Sequence, residues 1–102
     1  MTGVYAYVWE FEARAEADER FRKEYGPAGA WVALFRRAPG YVGTQLLQDR
    51  ERPRRYLTID TWNSAESYAA FRRQFAGEFA ELDRRCEGLT VREAPIGEFQ
   101  VR

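Results

Sequence analysis

Apolar residues recur along the chain with two different periods, and these periods predict strands alternating with helices. Residues 4–13 read VYAYVWEFEA, and such aromatic and β-branched residues favour a strand. From Ala15 onwards the apolar positions lie three or four residues apart, which is the spacing of an amphipathic helix. Gly26 and Pro27 interrupt this pattern, so we predict a break there and a short second helix over residues 27–37.

The second half of the chain again contains strand-like and helix-like stretches. Further strands are predicted over residues 41–48, 55–61 and 89–101. The charged segment 49–55 joins the first two of these strands into a hairpin, and we interpret its arginine-rich tip as a solvated turn. Pro95 and Gly97 predict that the last strand lies at an edge of the sheet or contains a bulge.

One amphipathic stripe between the hairpin and the last strand predicts a long helical stretch. Its apolar positions are Tyr68, Phe71, Phe75, Phe79, Leu82 and Cys86. Asn63 stands three residues before Glu66, which is the spacing of a capping box, and Ser64 is an alternative cap. Gly77 is a candidate break that divides the stripe into two helices, and Gly88 is a candidate stop. We interpret Cys86, at the end of the stripe, as a small buried hydrophobic residue.

The order β, α, β, β, α, β predicts a ferredoxin-like α+β fold, in which a four-stranded antiparallel sheet carries its helices on one face. We treat residues 1–102 as a single domain. Both faces of the first strand are apolar, since Tyr7 and Trp9 point to one side and Ala6 and Val8 to the other. Helices on both faces are one explanation, but this chain has enough helices for one face only. We therefore expect a homodimer that packs through the open sheet face.

The composition excludes several classes of protein. The chain contains no histidine, which removes His-based catalytic couples, His-ligated metal sites and an axial histidine for haem. Its single cysteine, Cys86, closes no intramolecular disulfide, and we expect no metal site. Sixteen Lys and Arg residues balance sixteen Asp and Glu residues, which argues against nucleic acid as a partner. Uncharged runs such as residues 26–35 are too short to span a membrane, and no secretory signal is visible, so we expect a soluble cytoplasmic protein.

An ordered set of residues along nearly the whole chain matches one known family. The strongest segment reads YLTIDTW at residues 56–62. Before it stand Phe11, Phe21, Tyr25-Gly26-Pro27, Leu34-Phe35, Pro39-Gly40, Gly43-Thr44, Leu46-Leu47 and Asp49. After it stand Ser64, Glu66-Ser67-Tyr68, Phe71, Leu82-Asp83, Glu93, Ile96-Gly97 and Phe99. In this order and spacing the chain resembles the antibiotic-biosynthesis-monooxygenase-type family of dimeric α+β-barrel proteins.

The resemblance implies a pocket between the sheet and the helices. By this resemblance its lining residues are Trp9, Phe11, Phe35, Trp62 and Phe71, together with Tyr68. Family members include cofactor-free monooxygenases that oxidise phenolic aromatics to quinones, haem-degrading enzymes, isomerase-like proteins and proteins of unknown role. The haem-degrading branch carries an Asn in the first strand and an iron-ligating His after the Trp. This chain has Trp9 or Tyr7 and Arg72 at those places, so we argue against haem degradation and expect no cofactor.

The cofactor-free chemistry needs a base, donors that stabilise an anion and a dry pocket. Asp60 is the candidate base, because it lies two residues before Trp62 and would share its face if the strand is regular. The alternative is a structural aspartate that forms an ion pair with an arginine. Tyr68 is the candidate phenolic donor and Arg72 the candidate cation near the pocket mouth. Further tyrosine candidates are Tyr7, Tyr41 and Tyr56, and Arg73 is an alternative to Arg72, since only one of two successive helical residues faces inward.

Two functions therefore remain open at the level of sequence. The first is a cofactor-independent monooxygenase that acts on a small aromatic or phenolic substrate. The second is a non-catalytic dimeric module that binds a small apolar ligand or fills its pocket with its own aromatic side chains. The volume of the pocket distinguishes an open ligand site from a pocket filled by side chains, since ligand sites usually measure about 300 Å³ or more.

Overall fold

The computed structural model describes residues 3–102, and within them strands and helices alternate in the predicted order. The elements are β1 (Tyr5–Ala13), α1 (Asp18–Tyr25), α2 (Ala30–Phe35), β2 (Tyr41–Gln48), β3 (Arg55–Trp62), α3 (Ala65–Gln74), α4 (Ala76–Cys86) and β4 (Thr90–Gln100). Short 3₁₀ turns precede α1 at Ala15–Ala17 and follow α4 at Glu87–Leu89. Among these residues no helix is long and apolar enough to cross a membrane.

The four strands form one antiparallel sheet in the order β2-β3-β1-β4. The two central strands, β1 and β3, pair directly, with Tyr7 opposite Asp60 and Trp9 opposite Thr58. The ferredoxin-like arrangement predicted from the sequence is confirmed. β4 lies at an edge and its register with β1 shifts between Val8 and Trp9, so the prediction from Pro95 and Gly97 is also confirmed.

A bulge in β2 changes which side chains share a face. Tyr41 pairs with Trp62 and Gly43 pairs with Thr61, so Val42 is an extra residue in this strand and 60% of it is exposed. Residues three apart on a regular strand point to opposite faces. The extra residue cancels this alternation, and Tyr41 and Thr44 therefore lie on the same face of the sheet.

Two predicted helix boundaries are wrong. The second helix was expected over residues 27–37 but occupies only Ala30–Phe35, because the chain first makes a turn in which the Gly29 N–H donates to the Gly26 carbonyl at 2.9 Å. The break in the long helical stretch falls at Phe75, whose φ of −111° and ψ of 28° leave the helical region, and not at Gly77. Phe75 is buried and stacks on Phe71, whereas Gly77 is exposed inside α4.

The first residue of α3 is fixed by a serine cap. The Ser64 hydroxyl accepts a hydrogen bond from the Ser67 N–H at 3.1 Å, so Ser64 and not Asn63 is the cap. Asn63 instead accepts from the Ser67 hydroxyl at 2.6 Å and donates its N–H to the Gly40 carbonyl at 2.7 Å. Gly40 has a φ of +94°, a conformation that favours glycine. These bonds tie the start of β2 to the start of α3.

The aromatic core lies on one face of the sheet, beneath the helices. Alternate residues of β3 are buried on this inner face, and Phe21 of α1 packs on Tyr56 while Phe71 of α3 packs on Trp62. Cys86 is buried in the same core, as predicted. The opposite surface of the sheet, here called the open face, carries Val8, Leu47, Leu57, Ile59 and Phe99. Leu47 and Phe99 are 44% and 49% exposed.

Candidate functional site

A cavity of about 360 Å³ lies between the inner face of the sheet and the helices. Its aromatic walls are formed by Tyr7, Trp9, Phe11, Tyr25, Trp31, Phe35, Tyr68 and Phe79. Its polar lining is formed by Thr44, Thr58, Asp60, Arg72, Asp83 and Glu93. The volume lies within the range of small-molecule sites, so the aromatic side chains of this chain do not fill the pocket.

Asp60 is the buried carboxylate of this cavity. It lies near the end of β3, between Tyr7 of β1 and Thr44 of β2, and only 6% of it is exposed. Burial raises the pKa of Asp60 to about 6 because desolvation penalises the charged form, and hydrogen bonding from Thr44 and Tyr7 offsets part of this rise. Among the residues that the structure describes, Asp60 forms no ion pair with an arginine, in contrast to the structural alternative considered from sequence.

Two hydroxyl groups follow Asp60 outward toward the edge of the sheet. The Thr44 hydroxyl donates to Asp60 Oδ1 at 2.5 Å, and the Tyr41 hydroxyl lies 2.6 Å from Thr44 Oγ1. Thr44 lines the cavity, whereas Tyr41 packs its ring against Phe35 and Trp62 with centroids 5.5 and 5.4 Å away. Tyr41 is therefore connected to the cavity through Thr44.

Three tyrosine rings cluster beside Asp60 at the ends of β1 and α3. The rings of Tyr7 and Tyr68 have centroids 4.6 Å apart, and Tyr5 lies about equally far from both, at 5.9 and 6.0 Å. Burial and the nearby Asp60 carboxylate raise the pKa of Tyr7, so its hydroxyl stays protonated at neutral pH. Tyr7 is therefore a neutral phenol, and the hydroxyl groups of Tyr7 and Tyr68 can hydrogen-bond an oxygen atom of a ligand.

Arg72 supplies the cation of the cavity. Its guanidinium carbon lies 4.0 Å above the Phe79 ring, and its Nη1 donates to the Tyr68 hydroxyl at 3.3 Å. No carboxylate of residues 3–102 lies within ion-pair distance of Arg72, although Asp83 and Glu93 line the same cavity. Arg73 does not line the cavity, so Arg72 is the member of the predicted pair that faces inward.

Of the residues assigned to the pocket from the resemblance, Trp9, Phe11, Phe35 and Tyr68 line the cavity. Trp62 and Phe71 are completely buried behind it, with their ring centroids 5.2 Å apart. Trp62 also contacts Tyr68, and Phe71 contacts Phe35, so this pair supports the lining side chains from behind. Direct contact of Trp62 or Phe71 with a substrate stays a prediction.

Several lining residues were not identified from the sequence. Trp31 stands four residues before Phe35, and this helical spacing was a usable signal for its inward orientation. Phe79 belonged to the predicted apolar stripe but was not predicted to line the pocket. Asp83 and Glu93 reach the cavity from α4 and β4, and no local pattern distinguishes them from solvated acids. In the described part of the chain no group of three or more Cys, Asp or Glu side chains is arranged to hold a metal ion.

Solved structures with the same fold include proteins of oxygen chemistry. SnoaB, a cofactor-independent oxygenase from Streptomyces nogalater, superimposes with a TM-score of 0.73 at 22% identity, over 98% of this chain and 94% of that chain. A candidate antibiotic biosynthesis monooxygenase from Bordetella bronchiseptica gives a TM-score of 0.75 at 20% identity, over 98% of both chains. A similar candidate from Nitrosomonas europaea gives 0.74 at 11% identity, over 99% of this chain and 92% of that chain. At these identities the likeness shows a shared fold.

Comparison at the level of sequence is more specific. No curated protein sequence matches this chain. The sequence model of one family, however, matches residues 5–81, which include β1 to α3 and hence Asp60, Tyr68 and Arg72. Because this match covers well over half of the chain, the protein belongs to the antibiotic biosynthesis monooxygenase family.

Proposed function

We propose that this protein is a cofactor-independent monooxygenase that oxidises a small phenolic aromatic compound, with Asp60 as its general base. The observation that carries the proposal is a buried carboxylate in the wall of an aromatic cavity of about 360 Å³. A pKa of about 6 keeps Asp60 ionised at neutral pH and still basic enough to accept a proton. The fold shared with the cofactor-independent oxygenase SnoaB supports the same chemistry.

The proposed reaction begins with transfer of a proton from the substrate to Asp60. The resulting electron-rich anion itself reduces dioxygen, so the protein supplies a base and a site shielded from water. In an anthrone-type substrate one oxygen atom becomes a new carbonyl group on the ring carbon. The other oxygen atom leaves as water with the two hydrogens that this carbon loses, and the carbon supplies the electrons.

The other lining residues have supporting roles in this proposal. Trp9, Phe11 and Phe35 provide flat surfaces against which an aromatic substrate packs. Tyr68 donates a hydrogen bond to a substrate oxygen, and Arg72 stabilises negative charge on the substrate anion. Trp62 and Phe71 hold Tyr68 and Phe35 in place.

Oxygen uptake with a panel of hydroquinones and anthrones tests the proposal. Asp60→Asn keeps the size of the side chain and removes the base, and we expect turnover to fall at least about a hundredfold. Asp18→Asn is the matched control, because the Asp18 carboxylate accepts from the Tyr56 hydroxyl at 2.6 Å and does not line the cavity. Unchanged turnover in Asp60→Asn would exclude Asp60 as the base. Tight binding of these compounds without oxygen uptake would favour the alternative, a non-catalytic ligand-binding module.

We also propose that two copies form a homodimer through their open faces. Val8 and Ile59 lie side by side at the centre of this face, with Leu47 and Phe99 exposed around them. Exposed apolar patches of this kind commonly mark protein interfaces, and sheets pack face to face at about 10 Å. Light scattering is expected to give a dimer mass for the wild type and a monomer mass for Ile59→Lys. Ala80→Lys, on the exposed side of α4, is the control that remains dimeric, and a monomeric wild type at micromolar concentration would refute the dimer.

A further inference from the structure

The hydrogen bonds beside Asp60 have a fixed direction. An ionised carboxylate has no hydrogen to donate, so the 2.5 Å contact requires that the Thr44 hydroxyl donates to Asp60 Oδ1. The hydroxyl hydrogen of Thr44 is then used in the bond to Asp60, so Thr44 Oγ1 accepts from the Tyr41 hydroxyl at 2.6 Å. Tyr41 therefore donates to Thr44, and Thr44 donates to Asp60. Hydrogen bonds in such a chain strengthen one another.

The bulge in β2 is what makes this chain possible. Without the extra residue Val42, Tyr41 and Thr44 would point to opposite faces of the sheet, and the Tyr41 hydroxyl would not reach Thr44. The register of β2 against β3 then places Thr44 directly opposite Asp60. Bulges that re-aim a side chain beside an active site are a recurrent feature of sheets. The local backbone is thus built to bring two hydroxyl groups to one carboxylate.

From this geometry we infer that Thr44 and Tyr41 are positioning residues for Asp60. The Thr44 hydroxyl occupies Oδ1 and fixes the rotation of the carboxylate, and the Tyr41 hydroxyl holds Thr44 in place. The inference rests on the proposed function and extends it, because it assigns the orientation of the base to two residues that do not themselves react.

The same pair also sets the pH range in which the base works. Desolvation raises the pKa of Asp60, and a donor to the charged form lowers it again. The groups that face Asp60 directly are Tyr7 of β1 and Thr44 of β2, with Tyr41 behind Thr44. The titratable and charged groups that line the same cavity are Tyr68 and Arg72 of α3, Asp83 of α4 and Glu93 of β4. The positive charge of Arg36, which follows α2, lowers the pKa of Tyr41, whereas burial raises it. Without the Thr44 hydroxyl the pKa of Asp60 is expected to rise, so that a larger fraction of Asp60 is protonated at neutral pH and the base works at higher pH.

Conservative variants separate this role from a general packing role. Thr44→Val keeps the branched shape that suits a strand and removes the hydroxyl, whereas Thr44→Ser retains the hydroxyl. Tyr41→Phe keeps the ring between Phe35 and Trp62 and removes only the outer donor. Two control variants are Thr61→Val, next to Asp60 but on the open face, and Tyr56→Phe, whose hydroxyl donates to the distant Asp18.

The primary measurement is the titration of the Asp60 carboxyl carbon by NMR, identified by its absence from Asp60→Asn. We expect Thr44→Val to raise the pKa of Asp60 by about one unit, Tyr41→Phe to raise it by less, and Thr44→Ser and both controls to leave it in place. With the phenol panel, the acid limb of the pH profile of kcat/KM should move by the same amount in Thr44→Val and return in Thr44→Ser.

The possible outcomes separate the inference from the proposed function. An Asp60 titration that is the same in Thr44→Val and wild type overturns the inference, as does a shifted titration with an unshifted pH profile in an active enzyme. A shifted titration in a protein that oxidises none of the phenols supports the positioning of the carboxylate and refutes the proposed function. If Thr44→Val does not fold, Tyr41→Phe carries the same test, because its packing surface is unchanged.

Discussion

The two faces of the sheet hold shielded carboxylates in opposite chemical settings. On the inner face Asp60 is 6% exposed and its hydrogen-bond donor is the neutral Thr44 hydroxyl. On the other face the side chain of Glu10 is 13% exposed and bonds Arg55 at 2.5 Å. Burial raises the pKa of Asp60 to about 6, whereas the Arg55 guanidinium lowers the pKa of Glu10 below its usual range. Desolvation therefore dominates the shift of Asp60, and the hydrogen bond from Arg55 dominates the shift of Glu10.

Burial and the hydrogen-bond partner together decide what each carboxylate can do. A guanidinium neutralises Glu10 and keeps it permanently ionised, so this residue is a structural charge. A hydroxyl stabilises the anion of Asp60 only in part and leaves it able to accept a proton near neutral pH. The proposed base thus depends on the absence of an arginine beside it as much as on the presence of Thr44.

The largest expected effect is a gain of stability in Asp60→Asn. Between about pH 4 and about pH 6 folded Asp60 retains a proton that the unfolded chain has released, so this residue lowers the stability of the protein as the pH rises through that window. Above about pH 6 the loss in the free energy of unfolding is constant, about 3 kcal/mol for a shift of about two pKa units. Asp60→Asn removes this cost, so its Tm should exceed that of the wild type near pH 8.

Thermal unfolding of both proteins near pH 8 and near pH 4 checks this prediction. The advantage of Asp60→Asn should shrink at the lower pH, because wild-type Asp60 is then protonated and uncharged as well. Only the difference between the two proteins is informative, since other carboxylates shift the stability of both alike. Equal Tm values near pH 8 would mean that the carboxylate is not desolvated as its burial indicates. A more stable but inactive variant would show that the base is maintained at the expense of stability.

A smaller effect of opposite sign is expected when the guanidinium on the other face is removed. In Arg55→Met the pKa of Glu10 should return toward its ordinary range, because Arg55 is the main cause of its depression. The pKa of Asp49 should rise less, since the backbone N–H groups of Arg52 and Glu51 contribute most to its lowering. NMR titration measures both values.

The stability of Arg55→Met should fall at neutral pH and approach that of the wild type in acid. A carboxylate with a depressed pKa stabilises the fold above its unfolded pKa and loses that contribution as the pH falls through its folded value. Arg54→Met is the matched control, because the Arg54 side chain forms no ion pair in residues 3–102. A loss that persists unchanged in acid would point to lost packing of the arginine stem and not to lost charge.

The fold could be predicted from local signals in the sequence, because each strand and helix has its own period of apolar residues. The strand predicted over residues 55–61 and the apolar stripe of α3 and α4 both depend on neighbouring residues, and these predictions are confirmed. The predicted helix boundaries were wrong where tertiary packing determines the end of a helix. Gly77 has the stronger local tendency to break a helix, yet the break falls at Phe75 because burying that ring against Phe71 takes precedence.

The candidate site could be predicted only in part, because its geometry depends on contacts between distant residues. Asp60 was identifiable as a carboxylate among aromatic residues of one strand. Its partner Thr44 lies on another strand, and the bulge that aligns Tyr41 with it leaves no recognisable mark beyond Gly43. Likewise, the position of Trp62 behind the cavity depends on the rings of Phe35, Tyr41 and Phe71 around it, which no single-strand pattern encodes.

The smallest effect is expected when Arg92, the second arginine near Glu10, is replaced. Arg92 also approaches Glu10, with its Nη2 3.8 Å from Oε1, but its side chain is 60% exposed. An exposed ion pair at this distance adds little, since water and salt screen the charges. We therefore expect Arg92→Gln to leave the Tm unchanged within error and to leave the NMR titration of Glu10 close to that of the wild type. A shift as large as that in Arg55→Met would instead show that the whole cationic cluster, and not the close contact with Arg55, holds Glu10 ionised.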